Sequence, residues 1–109
     1  NNLKLPTKKQ SRISDYPASY RDLSFSLDNY DNLDQLATVI KKYKESSELM
    51  VDCFVFDLFE NKKQNILKVG YRFKFQAIEN NITDEETEAV MNPLIKESLQ
   101  IDGVNIEGL

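Results

Sequence analysis

Three segments of the chain alternate between apolar and polar residues, the pattern of a β-strand with one buried face. The first segment, residues 21–27, places its two leucines and its phenylalanine on one side, because successive side chains of a strand point to opposite faces. Residues 51–59 and 67–75 alternate in the same way, and a short polar link joins them. Two consecutive strands with such a link predict a β-hairpin.

The alternation assigns each strand residue to one of two faces of a sheet. One face is predicted to be covered by helices and carries Leu23, Phe25, Phe54, Phe56, Leu58, Val69, Tyr71 and Phe73. The other face is predicted to be open to water and carries Ser24, Ser26, Cys53, Val55, Asp57, Phe59, Lys68, Arg72 and Lys74. Function is expected on this second face, because it presents hydroxyl, charged and aromatic groups together.

Two further segments have the apolar period of amphipathic helices. The first follows Asn29 and Asp31, which are candidate N-caps. Its apolar stripe consists of Leu33, Leu36, Ala37, Ile40 and Tyr43. The second begins at the capping-box sequence Thr83-Asp84-Glu85-Glu86, in which the first and last side chains each cap a free backbone N–H. Its inner face is predicted to consist of Val90, Met91, Leu94, Ile95 and Leu99.

With a short final strand at residues 103–107, the elements follow the order βαββαβ. This order predicts an α+β fold, the ferredoxin-like sandwich, in which a four-stranded antiparallel sheet carries two helices on one face. Right-handed crossovers in the two βαβ units lead to the same arrangement. We assign residues 16–109 to this one domain. Residues 1–15 are interpreted as a linker from a larger parent protein, because they are polar and show no apolar periodicity.

Composition limits the chemistry that this segment can perform. The chain has 109 residues, which is enough for one buried core. Cys53 is the single cysteine and there is no histidine, which excludes an internal disulfide and a Cys/His zinc site; Cys53 is interpreted as a small strand residue. Catalysis has little support, since no Gly-rich phosphate loop or activated nucleophile is recognisable. Neither a membrane span nor a secretion signal is evident.

The face predicted to be open suits single-stranded nucleic acid. An aromatic ring such as Phe59 can stack on a base, which is worth about 1–3 kcal/mol, while Lys68, Arg72 and Lys74 can contact phosphates. Asp57 can accept a hydrogen bond from a base amino or imino group. An ordinary solvated sheet face is the simpler alternative, and the net charge of −4 argues against a free-standing RNA binder. A tethered accessory role fits these charges better.

Four stretches of the chain form a set of motifs in a fixed order. The first is Tyr16-Pro17-Ala18-Ser19-Tyr20-Arg21-Asp22-Leu23-Ser24. The others are Phe54-Val55-Phe56-Asp57-Leu58-Phe59, Tyr71-Arg72-Phe73-Lys74-Phe75 and Glu79-Asn80-Asn81-Ile82-Thr83-Asp84-Glu85-Glu86. In this order they resemble the ferredoxin-fold anticodon-binding domain at the C-terminus of phenylalanine–tRNA ligases. The resemblance covers about residues 16–109.

The resemblance implies that the exposed sheet face contacts the anticodon loop of phenylalanine tRNA. Ser24, Asp57 and Phe59 stand at the family positions that contact the anticodon, and Phe59 replaces a frequent Tyr, which keeps a ring and loses a hydroxyl. The full set of predicted RNA-binding residues is Ser24, Asp57, Phe59, Lys68, Arg72 and Lys74. Asn80 and Asn81 replace the usual Arg-Thr pair, so that loop lacks a charge.

The resemblance also implies a larger parent enzyme that joins phenylalanine to its tRNA. ATP and Mg²⁺ would act elsewhere in that parent, so no cofactor is expected in this segment. Its expected partners are the tRNA and the remainder of the synthetase, not a membrane. A bacterial β chain and an organellar single-chain enzyme both stay open as parents, and with them the bacterial cytoplasm and an organelle matrix.

Two other functional classes remain open for a sandwich of this kind. A regulatory module would bind a small molecule at the edge of a dimer, although no Gly-rich loop follows the first strand. A protein-interaction domain would dock through the sheet face, with Val55 and Phe59 as its anchors.

Overall fold

The computed structural model describes residues 15–108, and their elements follow the predicted order. The elements are β1 (Ser19–Leu27), α1 (Tyr30–Ser46), β2 (Met50–Asn61), β3 (Ile66–Phe75), α2 (Asp84–Leu99) and β4 (Val104–Ile106). The linker predicted for residues 1–15 lies outside the described residues, apart from the exposed Asp15 that precedes β1.

The strands of the described residues form one sheet in the order β2-β3-β1-β4, and every neighbouring pair is antiparallel. The helices pack on one face of this sheet and against each other. The core between the two layers includes Phe25, Leu36, Ile40, Met50, Phe73, Phe75, Met91 and Leu94. The ferredoxin-like sandwich that the element order predicts is therefore confirmed.

The cap of α1 is Asn29, one of its two candidates, and the cap of α2 is Thr83, as predicted. The Asn29 side chain accepts a hydrogen bond from the Asn32 backbone N–H at 3.1 Å, and the Asn32 side chain accepts one from the Asn29 N–H at 3.3 Å. Thr83 and Glu86 form the same reciprocal pair at the start of α2. Free N–H groups of each first turn are thus satisfied by the chain itself, which fixes where each helix starts.

The buried faces of the helices differ from the predicted stripes at two positions. Leu99 was predicted to lie inside but is 43% exposed, because it is the last residue of α2. Ala37 is exposed as well, since it is displaced from the buried Leu36 by about 100° around the helix. In α2 the buried stripe includes Thr87, whose hydroxyl is satisfied by the Thr83 carbonyl at 3.1 Å.

The pairing of β2 with β3 shifts register twice. One shift lies between Met50 and Asp52, and the other between Val55 and Asp57. A β-bulge of this kind sets two residues opposite one on the partner strand and bends the bulged strand. Side chains of a strand alternate with a period of two, so each extra residue shifts this alternation by one position. Residues before and after a bulge therefore do not follow one continuous alternation.

Because of the bulges, the predicted faces were wrong for four consecutive residues of β2, Cys53 to Phe56. Cys53 and Val55 pair with core residues of β3 and lie on the helix side, although the alternation placed them on the water-exposed side. Phe54 pairs with Arg72 and the ring of Phe56 lies against the same side chain, so neither belongs to the covered face. Burial raises the pKa of the Cys53 thiol, which fits a small strand residue in partial contact with the core.

We call the side of the sheet away from the helices the open face. It includes Tyr20, Asp22, Ser24, Ser26, Asp52, Phe54, Phe56, Asp57, Phe59, Lys68, Gly70, Arg72 and Lys74. Leu58 lies on the helix side as predicted, yet it is 54% exposed. The helices therefore leave the edge strand β2 partly uncovered, whereas Val69, the partner of Leu58 on β3, is buried.

Asn32 joins the turn before α1 to the loop before β4. Its side-chain amide donates to the Gln35 side chain and to the Asp102 carbonyl, both at 2.9 Å. Its oxygen accepts from the backbone N–H groups of the two residues before α1, at 3.2 and 3.3 Å. Asn32 is 3% exposed, so it is a buried polar group whose bonds are satisfied. A Cβ at Gly103 would lie 2.6 Å from this oxygen, and its φ of 96° also favours glycine.

Replacing this asparagine should destabilise the fold. In Asn32→Ala the Asp102 carbonyl and the N–H groups before α1 lose buried partners, and we expect the free energy of unfolding to fall by about 2–3 kcal/mol. Urea denaturation measures this loss. The control is Gln35→Ala, which removes one exposed partner and should change stability by about 0.5 kcal/mol or less. Equal stabilities of the two variants would contradict the joining role of Asn32.

Candidate nucleic-acid interface

A glycine lies at the centre of the open face. Gly70 of β3 pairs with Ser24 on one side and with Asp57 on the other, so two adjacent strand spacings, about 9–10 Å in total, separate the backbones that carry these side chains. The tip of the Phe56 ring fills the space above the glycine. A Cβ built on Gly70 would lie only 2.9 Å from Phe56 Cζ. The missing side chain at residue 70 therefore allows an aromatic ring to rest on the sheet here.

Arg72 lies beside this ring and is fixed by two hydrogen bonds. Its Nε and Nη2 atoms donate to the two carboxylate oxygens of Asp22, both at 2.9 Å. Its Cζ atom lies 4.9 Å from the centroid of the Phe56 ring, within the range of a cation–π interaction. The hydrogen bonds from Arg72 hold the pKa of Asp22 below its usual value. The guanidinium plane is therefore aligned in advance for contacts with a planar base.

Ser24 and Lys68 are held by one carboxylate. Glu107 follows β4, and its backbone N–H donates to the Ser24 carbonyl at 2.8 Å. Its side chain accepts from Ser24 Oγ at 3.2 Å and from Lys68 Nζ at 2.6 Å. The hydrogen bond from Lys68 lowers the pKa of Glu107, and Ser24 adds a smaller effect in the same direction. Neither predicted RNA contact is therefore free in this structure.

The remaining groups of the open face are more accessible. Within the described residues, the side chains of Asp57 and Lys74 have neither a hydrogen bond nor an ion pair. Phe59 pairs with Lys68 across the hairpin and is 49% exposed, and Phe54 and Phe56 are 43% and 46% exposed. Aromatic rings, an unpaired carboxylate and an unpaired ammonium group thus share one surface. Such a surface can stack bases, accept hydrogen bonds from their edges and contact phosphates.

Two other features are absent from the part of the chain that the structure describes. No group of three or more His, Cys, Asp or Glu side chains there is placed to hold a metal ion. None of the helices in residues 15–108 has the length and apolar character needed to cross a membrane.

A known protein family matches most of this chain. Its family model, described as the ferredoxin-fold anticodon binding domain, matches residues 14–105. These residues include all the strands and helices described above, except the final residue of β4. The chain belongs to this family. The match agrees with the motif resemblance and with the observed fold.

Two curated relatives of this anticodon-binding domain are phenylalanine–tRNA ligases. The chain is 30% identical over 73 residues to the chloroplastic/mitochondrial phenylalanine–tRNA ligase of Arabidopsis thaliana, a match that covers 67% of the chain and 17% of the relative. It is 30% identical over 92 residues to the phenylalanine–tRNA ligase β subunit of Lactococcus lactis, a match that covers 80% of the chain and 11% of the relative. The chain therefore spans a small part of either relative.

A solved structure supports the fold alone. The structure of an uncharacterized protein from Thermotoga maritima superposes with a TM-score of 0.52 at 12% sequence identity, and the match covers 84% of this chain and 94% of that one.

The anticodon-binding domain brings all six predicted RNA-binding residues to the open face. Ser24 and Asp57 flank the central glycine, and Phe59 and Lys68 are cross-strand partners. Arg72 and Lys74 follow on the same face of β3. Their contact with RNA remains a prediction, because the structure shows only that they share a surface.

Sequence reasoning missed Tyr20, Asp52, Phe54, Phe56 and Glu107 as parts of this surface. The aromatic spacing in β2 held one signal: phenylalanines at positions 54, 56 and 59 are separated first by two residues and then by three. A uniform alternation cannot place all three rings on one face, whereas a bulge between Phe56 and Phe59 or beside them can. The ion pairs of Asp22 and Glu107 gave no sequence signal, because their partners lie 50 and 39 positions away.

Replacing the central glycine should displace the Phe56 ring. The new Cβ in Gly70→Ala would come within 2.9 Å of Phe56 Cζ, and this exposed ring can rotate away, so we expect a stability loss of about 1 kcal/mol or less. Nuclear Overhauser contacts between the Phe56 ring and residue 70 should disappear. Ser26→Ala, on the same face of β1, should leave these contacts intact. Unchanged Phe56 signals in Gly70→Ala would show that the ring does not rest on the glycine.

Acid should release Arg72 from Asp22. The pKa of Asp22 is lowered from its ordinary value of 3.8, so the stabilisation from this pair is complete above that pH and is lost as the pH falls through the lowered pKa. Carbon NMR of the Asp22 carboxylate should give a titration midpoint below 3.8. In Arg72→Gln the midpoint should return towards 3.8. A wild-type midpoint at or above that value would contradict the observed pairing.

Proposed function

We propose that this domain binds the anticodon loop of phenylalanine tRNA on its open face and serves as an accessory domain of a phenylalanine–tRNA ligase. Membership of the anticodon-binding domain family and the names of the two curated relatives support this proposal. The parent would attach phenylalanine to its tRNA outside this segment, and ATP and Mg²⁺ would act there. The domain itself would position the tRNA without catalysing a step.

The observation that carries the proposal is the arrangement around Gly70. The Phe56 ring rests on the glycine, and Ser24 and Asp57 project from the strands on either side. An unstacked base on this ring or on the neighbouring Arg72 guanidinium would have its edges within reach of polar groups. Asp57, which has no side-chain partner within the described residues, would accept a hydrogen bond from a base amino or imino group.

The charges of the open face fit weak, tethered binding. Lys74 is available to a phosphate, whereas Lys68 and Arg72 already have carboxylate partners. A phosphate must therefore displace these carboxylates or share the two cations with them, which reduces the electrostatic gain from RNA. A domain of net charge −4 that is attached to the rest of a synthetase does not need high affinity of its own.

The relatives come from a bacterium and from plant organelles. We accordingly propose as parent either a bacterial β subunit or an organellar single-chain enzyme, acting in the bacterial cytoplasm or in an organelle matrix. The alternative of a protein-interaction domain loses its proposed anchors, because Val55 and Phe59 lie on opposite sides of the sheet.

The first experiment is an NMR titration of this chain with the anticodon stem-loop of phenylalanine tRNA. We expect shifts centred on Ser24, Phe56, Asp57 and Phe59, and weaker shifts with a stem-loop whose anticodon is changed. In Asp57→Ala the affinity difference between the two loops should shrink by about 1–3 kcal/mol. Asp34→Ala, at an exposed acidic position of α1, is the charge-matched control and should keep the difference.

Two results would overturn the proposal. Shifts confined to the helix side of the sheet would remove the open face as the binding surface. Equal shifts with both stem-loops would leave contact with the RNA backbone but exclude anticodon reading.

A further inference from the structure

The Glu107 carboxylate makes the contacts that an RNA phosphate would make on the open face. One oxygen accepts from Lys68 Nζ at 2.6 Å, and the other accepts from Ser24 Oγ at 3.2 Å. An ammonium group and a hydroxyl converging on one anion are typical phosphate donors. The arrangement therefore places an intramolecular anion on two of the predicted RNA-binding residues.

Backbone hydrogen bonds also fix the position of Glu107, in addition to the contacts of its carboxylate. Glu107 N–H donates to the Ser24 carbonyl at 2.8 Å, directly after β4 has paired with β1. The loop before β4 is in turn joined to α1 by the Asn32 side chain, which donates to the Asp102 carbonyl at 2.9 Å. The pairing of β4 with β1 and the position of the preceding loop thus place the Glu107 carboxylate on the open face. Glu107 also lies two residues beyond the segment that matches the family model.

We propose that Glu107 is an affinity-determining residue of the open face, which competes with RNA phosphate for Lys68 and Ser24 and must be displaced when RNA binds. This inference rests on the proposed RNA-binding function. Its consequence is that backbone contacts at this end of the sheet contribute little, so that the bound state depends on stacking and base contacts around Gly70. The residue sets affinity for the RNA backbone and does not read the bases.

The substitution Glu107→Gln removes the charge of this side chain and keeps its shape. In Glu107→Gln the side-chain oxygen can still accept from Ser24 and the backbone bond to β1 is unchanged, so the variant should fold, which a thermal melt checks. Removing an exposed ion pair that opposes binding should raise affinity for the anticodon stem-loop by about two- to fivefold. The plot of log affinity against log salt should steepen by about 0.7–0.9, because one more phosphate is neutralised.

Two comparisons separate this competition from the general effect of charge. Glu88→Gln removes one exposed carboxylate from α2 and should raise affinity less than Glu107→Gln does. In a Lys68→Gln background, Glu107→Gln should raise affinity no more than Glu88→Gln does, since the ammonium group for which the two anions compete is gone. The gain in the wild-type background should be the same for cognate and changed anticodons.

The outcomes separate the competition from the proposed function. A gain that matches Glu88→Gln, a gain that is undiminished in the Lys68→Gln background, or a loss of affinity would overturn the competition while wild-type binding still supports the proposed function. If neither the wild type nor Glu107→Gln shows any binding at low salt, both the proposed function and this inference fail. Binding seen only in Glu107→Gln would support both.

Discussion

The contact between Phe56 and Gly70 is the constraint on which the candidate site depends. A bulge in β2 turns Phe56 and Asp57 to the same side of the sheet, opposite a single residue of β3. That residue lacks a side chain, which leaves room for the ring, and a Cβ there would displace it. The bulge in β2 therefore lies beside a glycine of β3, and the glycine leaves room for the ring that the bulge turns to this side. Together they place Phe54 and Phe56 on a sheet face where regular alternation leaves only Phe59 among the β2 phenylalanines.

Two of the three cations of the open face are paired within the domain. Arg72 binds Asp22 in a bidentate manner, and Lys68 binds Glu107. These exposed pairs contribute little to stability, but they fix side chains that would otherwise sample many rotamers. With these cations paired, the RNA binding that we propose for this acidic chain would depend on stacking and base edges more than on net charge.

The site and the core are connected through Asn32. This buried side chain holds the turn that starts α1 and the loop that leads into β4. β4 has only three residues, so its pairing with β1 depends on how that loop is positioned. The same loop determines where Glu107 meets Ser24. A polar hydrogen-bond network in the core thus sets the position of a charged group on the opposite side of the sheet.

The sequence by itself determined the order of the elements, the caps of both helices, the sandwich fold and the faces of β1 and β3, because each follows from local periodicity and from hydrogen bonds between near neighbours. It also identified the six predicted contact residues as members of one surface. Only the tertiary structure decided the faces of Cys53, Phe54, Val55 and Phe56, since a bulge arises from the register between two strands and not from either strand alone. The partners of Arg72 and Lys68 were likewise decided by strand pairing, which brings together residues that are distant in the chain.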